Sequence, residues 1–330
     1  MSDEIVREFL VEGNENLDTL DRGREKVNPE TSEMLRRRMS ELGSLPVMPS
    51  ILQSLRTCLS ASAGELDIAR IVELISYDKS LAAQCLRMAN SAMFSGRARV
   101  QSVRQAVLAL GIQRVRDIVY SCSLPQIFAG GARHGMEQET LWRHALGTAL
   151  VGQHLGELLL VSDTEKLYLA GLLHDIGILV NSLLYPEEFQ RVLRQAEASE
   201  TPLSEVEREI LGFTHCESGR VLADLWKLPA DIADTIEFHH HPSGDDPDEG
   251  ITCVVYLADV LCRLRGLGYG YYEAREFDLA AEIPWQALRK NHPEAAAGLD
   301  LARFTFELDQ YGVEVQMMVD SIFSGATVPH

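Results

Sequence analysis

Leu169-Ala170-Gly171-Leu172-Leu173-His174-Asp175-Ile176-Gly177-Ile178-Leu179-Val180 places an imidazole and a carboxylate side by side in an apolar run. No proline interrupts it, so it reads as an almost wholly buried helix. Burying His174 and Asp175 there is costly unless each finds a partner. A metal ion satisfies both at once, because neutral imidazole and carboxylate are its usual ligands. A pair that bonds only to the backbone and to itself is the plainer alternative.

Outward from this run, the apolar spacing stays helical. Ile5, Phe9 and Leu10, then Leu17 and Leu20, make one face; Leu52, Leu55 and Leu59 make another. Ile68, Ile71, Val72 and Ile75 repeat it, and Leu301 to Ile322 is a long periodic tail. Alternating runs are almost absent, so the chain is expected to be all-α. Breaks fall at Asn28-Pro29, Leu45-Pro46-Val47-Met48-Pro49, Gly96, Gly130-Gly131, His241 to Pro247, and Gly266, Gly268 and Gly270. They divide the chain into an amphipathic helix (1–30), a first helical half (31–135), a second half (136–265) and a helical extension (266–330).

Composition narrows the classes of function. With 30 basic and 49 acidic side chains in 330 residues the formal charge is −19, which disfavours nucleic acid and anionic membranes as partners. The start, Met1 to Leu10, carries acids where a secretion signal needs bases. No stretch approaches eighteen uninterrupted apolar residues, so no membrane insertion is expected. The six cysteines include no C-x-x-C pair and read as reduced, buried thiols of a cytoplasmic protein.

The histidines are clustered. Of ten, eight lie between 134 and 241, where even spreading would put about three. His144 follows Leu141 and Trp142. His215 opens a helix running from Thr214 to Trp226, with Gly219 one turn on allowing a close neighbour. His239 and His240 end the helix that begins after Pro229. Asp259 lies inside the apolar run Val254 to Val260. His144, His174, Asp175, His215, His239, His240 and Asp259 thus form a candidate metal set, enough for two divalent cations with Asp175 as a bridge. Imidazoles with two carboxylates favour Fe, Mn or Zn over Mg. His134, His154, His241, His292 and His330 are set aside, His154 because no acidic partner is expected for it.

At these residues the chain resembles the HD superfamily of metal-dependent phosphohydrolases, with its H…HD…D pattern on a helical scaffold. It is more specifically similar to the HDOD family, the HD-related output domain of bacterial signalling proteins. The matching words are Leu45-Pro46-Val47-Met48-Pro49, Ile75 to Leu81, Leu86 to Ser91, Ser102 to Ala106 with Leu110-Gly111, and Leu172 to Gly177. The resemblance spans about residues 42–262. It implies a two-part helical bundle with an HD-like C-terminal half, working in signal transduction through a protein partner. Such modules are generally non-catalytic and often lose the metal ligands, which this sequence keeps. The ligand order also resembles the HD-GYP cyclic-di-GMP phosphodiesterases. However, Ile178 stands where their lysine is expected, and Pro242-Ser243-Gly244-Asp245-Asp246 replaces Gly-Tyr-Pro. Asp231, Asp234, Glu237, Asp245, Asp246, Asp248 and Glu249, with no Lys or Arg among them, are expected to form an acidic rim that repels a nucleotide phosphate.

Two weaker signals remain. Glu4 to Glu12 with Asn14 to Leu17 resembles the opening helix of the phosphotransfer domain in chemotaxis-type kinases. No histidine precedes 134, so it reads as a docking helix. Arg97, Arg99, Arg104, Arg114 and Arg116 against Asp117 read as a solvated basic face, with an anionic partner as the alternative. The favoured function is a non-enzymatic signalling module. The alternatives are an active hydrolase of a small phosphoester or nucleotide, and a structural or redox-sensing metal. The input is expected from another chain or through the extensions 1–41 and 266–330.

Overall fold

A computed structural model describes residues 26–41, 68–90, 99–128, 138–161, 163–243, 249–268 and 277–323. The first amphipathic face, Leu52 to Leu59, the 45–49 word, Arg97, His134, Asp245, Asp246 and Asp248 in the loop at 244–248, and His330 lie outside the described residues. Within them the chain is helical, with no strand. In chain order the helices are α1 (Pro29–Glu41), α2 (Ile68–Tyr77), α3 (Lys79–Ala89), α4 (Val103–Leu110), α5 (Ile112–Phe128), α6 (Gln138–Leu158), α7 (Thr164–Leu173) and α8 (Ile176–Leu184). There follow α9 (Pro186–Ser199), α10 (Leu203–Leu211), α11 (His215–Leu225), α12 (Ala230–Phe238), α13 (Gly250–Leu264), α14 (Ile283–Asn291), α15 (Pro293–Ala297) and α16 (Leu301–Phe323).

The helices α2 to α5 pack on one another and meet the second half where α5 lies on α7. Around α7 stand α6, α12 and α13, while α8 packs on α11 and α11 on α12. The long α16 lies along α6 and reaches α3. The first helix, α1, docks on α11. There Leu35 and Met39 are fully buried, and Arg36 Nη2 reaches Asp224 Oδ2 at 2.9 Å. Just before α1, the Val27 N–H donates to Glu237 Oε1 on α12 at 2.7 Å.

The run 169–180 is buried as expected, but it is not one helix. It breaks at His174-Asp175, where Asp175 adopts φ −103°, ψ 16°. Successive side chains on a continuous helix diverge by about 100°, which would aim this histidine and this aspartate at different neighbours. The break lets both face one point. The stretch Thr164–Leu184 has the length and mean hydropathy (1.6) of a membrane-crossing helix, yet 89% of its most apolar window is buried among the other helices. It is the central layer of a packed core.

Two glycine contacts set how closely that layer is approached. A Cβ on Gly171 would stand 2.8 Å from Ala149 Cα, so α7 lies backbone to backbone on α6. A Cβ on Gly177 would fall 1.8 Å from the His215 carbonyl oxygen, and one on Gly219 would fall 2.7 Å from Ile236 Cγ2. Glycine there brings α8 and α12 onto α11, and Gly219 is the close-approach residue its spacing suggested.

The basic face is not uniformly a surface. Arg104 is exposed and Arg114 half-buried. Arg116 is 1% exposed and bridges Asp117 Oδ1 at 2.6 Å and Glu165 Oε2 at 2.9 Å, tying α5 to α7. An arginine so placed is a structural ion pair, which leaves fewer charges to meet a partner.

Candidate metal centre

Six of the seven candidate ligands are buried, and His240 is half-buried at the edge. They come from α6 (His144), the α7–α8 break (His174, Asp175), α11 (His215), the end of α12 (His239, His240) and α13 (Asp259). All seven meet. Asp175 sits between two groups. Its Oδ2 is 2.8 Å from His174 Nε2 and 3.9 Å from His144 Nε2. Its Oδ1 is 3.3 Å from His215 Nε2 and 3.2 Å from His239 Nε2. Asp259 Oδ1 completes the first group, 2.9 Å from His144 Nε2 and 3.9 Å from His174 Nε2. His240 Nε2 completes the second, 3.0 Å from His215 Nε2.

The orientation of the rings carries the chemical argument. His144 Nδ1 lies 2.9 Å from the Leu267 carbonyl, His174 Nδ1 2.7 Å from the Gly171 carbonyl, and His239 Nδ1 3.0 Å from the Ile236 carbonyl. His215 Nδ1 lies 2.6 Å from Glu207 Oε2, which also accepts the His215 backbone N–H at 2.8 Å. Those oxygens only accept, so each Nδ1 carries the proton and a neutral ring presents a lone pair at Nε2. All four lone pairs then face carboxylate oxygens, which are also lone pairs. Among the described residues, His174 Nε2, His239 Nε2 and Asp259 Oδ1 are buried without a hydrogen bond of acceptable geometry, although charged atoms stand within contact range. Lone pairs converging on a shared point, with the far side of each ring held by an acceptor, is the arrangement a divalent cation requires. The residues fit such an ion.

Without a cation the balance falls on protons. Burial pushes the Asp175 carboxyl up, but the His174 and His239 rings beside it hold it well below the usual range. Burial lowers His174 and His215, and the adjacent Asp175 and Glu207 outweigh it and raise them. His239 and His240 are lowered, first by burial and for His240 next by the neighbouring rings. Asp259 is held at about 2: burial opposes this, and Arg263 and His144 overcome it. His174 in the first group and His215 in the second are thus the rings drawn toward the charged form when no cation is bound.

Three features escaped the sequence reading. Glu207 is fully buried and also accepts from Asn181 Nδ2 at 2.8 Å. Its signal was present, since Leu203, Val206, Glu207 and Ile210 share one face of α10 and the acid occupies an apolar position. Arg263, one turn beyond Asp259, holds Asp259 Oδ2 at 2.5 Å. His154, which seemed to lack an acidic partner, meets Glu307 Oε2 of α16 at 2.8 Å and stacks on Phe304. A partner so distant in sequence leaves no local mark. The acidic rim is also weaker than expected, because Asp231 pairs with Lys166 Nζ at 2.7 Å, and Asp234 and Glu237 pair with Arg220 Nη1 at 2.6 and 2.7 Å. His241 is exposed and His292 half-buried, both outside the centre.

A family profile of the HDOD domain matches residues 45–242. The chain belongs to the HDOD family. An HDOD domain protein of unknown function from Geobacter sulfurreducens superposes with a TM-score of 0.78 at 28% identity, covering 90% of this chain and 99% of that one. A structure from Shewanella amazonensis SB2B gives 0.66 at 22% identity, over 87% of this chain and 97% of its own, a likeness of fold. An uncharacterized protein of Treponema pallidum is 25% identical over 243 residues, 72% of this chain. The chain spans about half of that relative's length, 46%. The HDOD match ends at 242, before Asp259, so it covers six of the seven candidate positions, His144 to His240, and α13 brings in the last carboxylate from outside it.

Proposed function

We propose that this chain is a cytoplasmic HDOD signalling module that acts through protein contacts and keeps a centre for two divalent cations of the Fe, Mn or Zn type, bridged by Asp175. The observation that carries the metal reading is the shared orientation of His144, His174, His215 and His239, each Nδ1 on an acceptor and each Nε2 facing a carboxylate. Signalling is supported by HDOD membership and by the latch of α1. Val27 and Arg36 fasten it to α12 and α11, the helices that carry His239 and His215. The five described cysteines are all free and buried, which suits a reducing compartment.

The complete ligand set supports a second reading, a metal-dependent phosphohydrolase, and the Shewanella amazonensis protein is provisionally named a phosphohydrolase. In that reading the ions would supply an activated water and polarise a phosphoryl oxygen. Three features weigh against it. The ligands are closed off by burial, Arg263 is engaged by Asp259, and Ile178 is buried and apolar where a phosphate-binding lysine would serve. The test is turnover of a panel of phosphodiesters and nucleotides by tag-free protein of measured metal content, beside His174→Ala. The module reading expects no turnover above the variant. Turnover that rises with metal content would overturn it in favour of the hydrolase.

A further inference from the structure

The two groups of ligands are chemically unequal. The first is made of His144, His174 and Asp259, nitrogen and oxygen donors only. In the second, ligand atoms of His215, His239, His240 and Cys216 all lie within 4.8 Å of one another. Cys216 follows His215 in the first turn of α11 and is buried. The His239 Nε2 that shares this cluster is fully buried and has no hydrogen bond of acceptable geometry. A five-coordinate zinc site with sulfur at about 2.3 Å and nitrogen at about 2.0–2.1 Å has neighbouring ligand–ligand edges of about 2.9–3.8 Å. The His215 to His240 edge is already 3.0 Å. The longer edges, all within 4.8 Å, would close onto the ion.

Resting on the metal-centre reading above, we propose that Cys216 Sγ is a ligand of the second ion. Three imidazoles and a thiolate, with the bridging Asp175 Oδ1 as fifth donor, then make that subsite select a borderline-soft cation, Zn2+ or Co2+, over Mg2+ or Mn2+, while the first subsite remains a nitrogen–oxygen site. Binding replaces the thiol proton by the metal and releases that proton to solvent. Glu207 locks His215 with Nε2 inward.

The test is the absorption spectrum of the metal-free, tag-free full chain loaded with Co2+. A bound thiolate gives a near-ultraviolet sulfur-to-cobalt charge-transfer band. Visible d–d bands report cobalt bound by any ligands. The proposal expects both in the native chain. In Cys216→Ser the charge-transfer band falls to baseline, cobalt drops from about two to about one per chain, and the d–d bands of the first subsite persist. Cys253→Ser is expected to keep the band. Native protein showing d–d bands without the charge-transfer band overturns the ligand and leaves the centre standing, however the variants fold. A band that survives Cys216→Ser, or Cys216→Ala, overturns it equally. Native protein that retains no cobalt overturns the centre and this ligand together.

Discussion

Glu207 shows how a residue that touches no ion can decide what binds. Its Oε2 holds both the ring and the backbone N–H of His215, and its Oε1 is tethered by Asn181. A carboxylate behind a ligating imidazole fixes the tautomer and strengthens the lone pair on the other nitrogen. Glu207→Gln keeps the shape but removes the charge. It is expected to weaken divalent binding at the His215 group about 10–100-fold, leaving the His144 group unchanged, as competition with a chelator would measure. An equal loss at both groups would mean that Glu207 acts only through general stability. Asp175 is the more severe position, because both of its oxygens are used. Asp175→Asn is expected to abolish two-ion binding by elemental analysis and to leave the helical signal intact.

Between elements, the crossing of α8 on α11 fixes the distance from Asp175 to His215. Gly177 makes this contact backbone to backbone, so an added methyl meets atoms that cannot rotate away. Gly177→Ala is expected to destabilise the fold by about 1–3 kcal/mol or more, read by urea denaturation, and to lower metal content. Loss of stability with full metal content would show that α11 tolerates the shift. The α6–α16 contact is of another kind. His154 stacks on Phe304 and meets Glu307, whose pKa is lowered by His154 and then by Arg303. For an acid lowered in the folded state, the contribution is present above the ordinary glutamate value of about 4.3. It is lost as pH falls through the lower folded value. Glu307→Gln is therefore expected to flatten the acid limb of thermal stability below about pH 4, by an amount that shrinks as salt rises. An unchanged acid limb would assign that limb to the buried carboxylates.

Across the whole molecule, what was legible in the sequence is what repeats locally. Helical periodicity and the tandem words His174-Asp175 and His239-His240 are local, and they pointed to the helical class and to all seven residues that converge. The helix break at Asp175 was hidden, because nothing in an apolar run marks a turn that serves side-chain aim rather than chain reversal. Glu207, Arg263 and the His154–Glu307 pair were hidden because their partners arrive through packing. The converging lone pairs also predict how the fold as a whole responds to metal. An ion that binds the native state at 100 times its Kd adds about 2.7 kcal/mol, about 4 °C in Tm for a chain of 330 residues. Metal-loaded protein is expected to melt that much higher than chelator-treated protein at pH 7.5. The gap should close near pH 5, where the imidazoles take up protons in place of the cation. Equal melting points at pH 7.5, for protein shown by elemental analysis to be loaded and stripped, would mean that the ion binds the unfolded chain as tightly as the native one and that the convergence of Asp175 and Asp259 with the imidazoles is not what holds it.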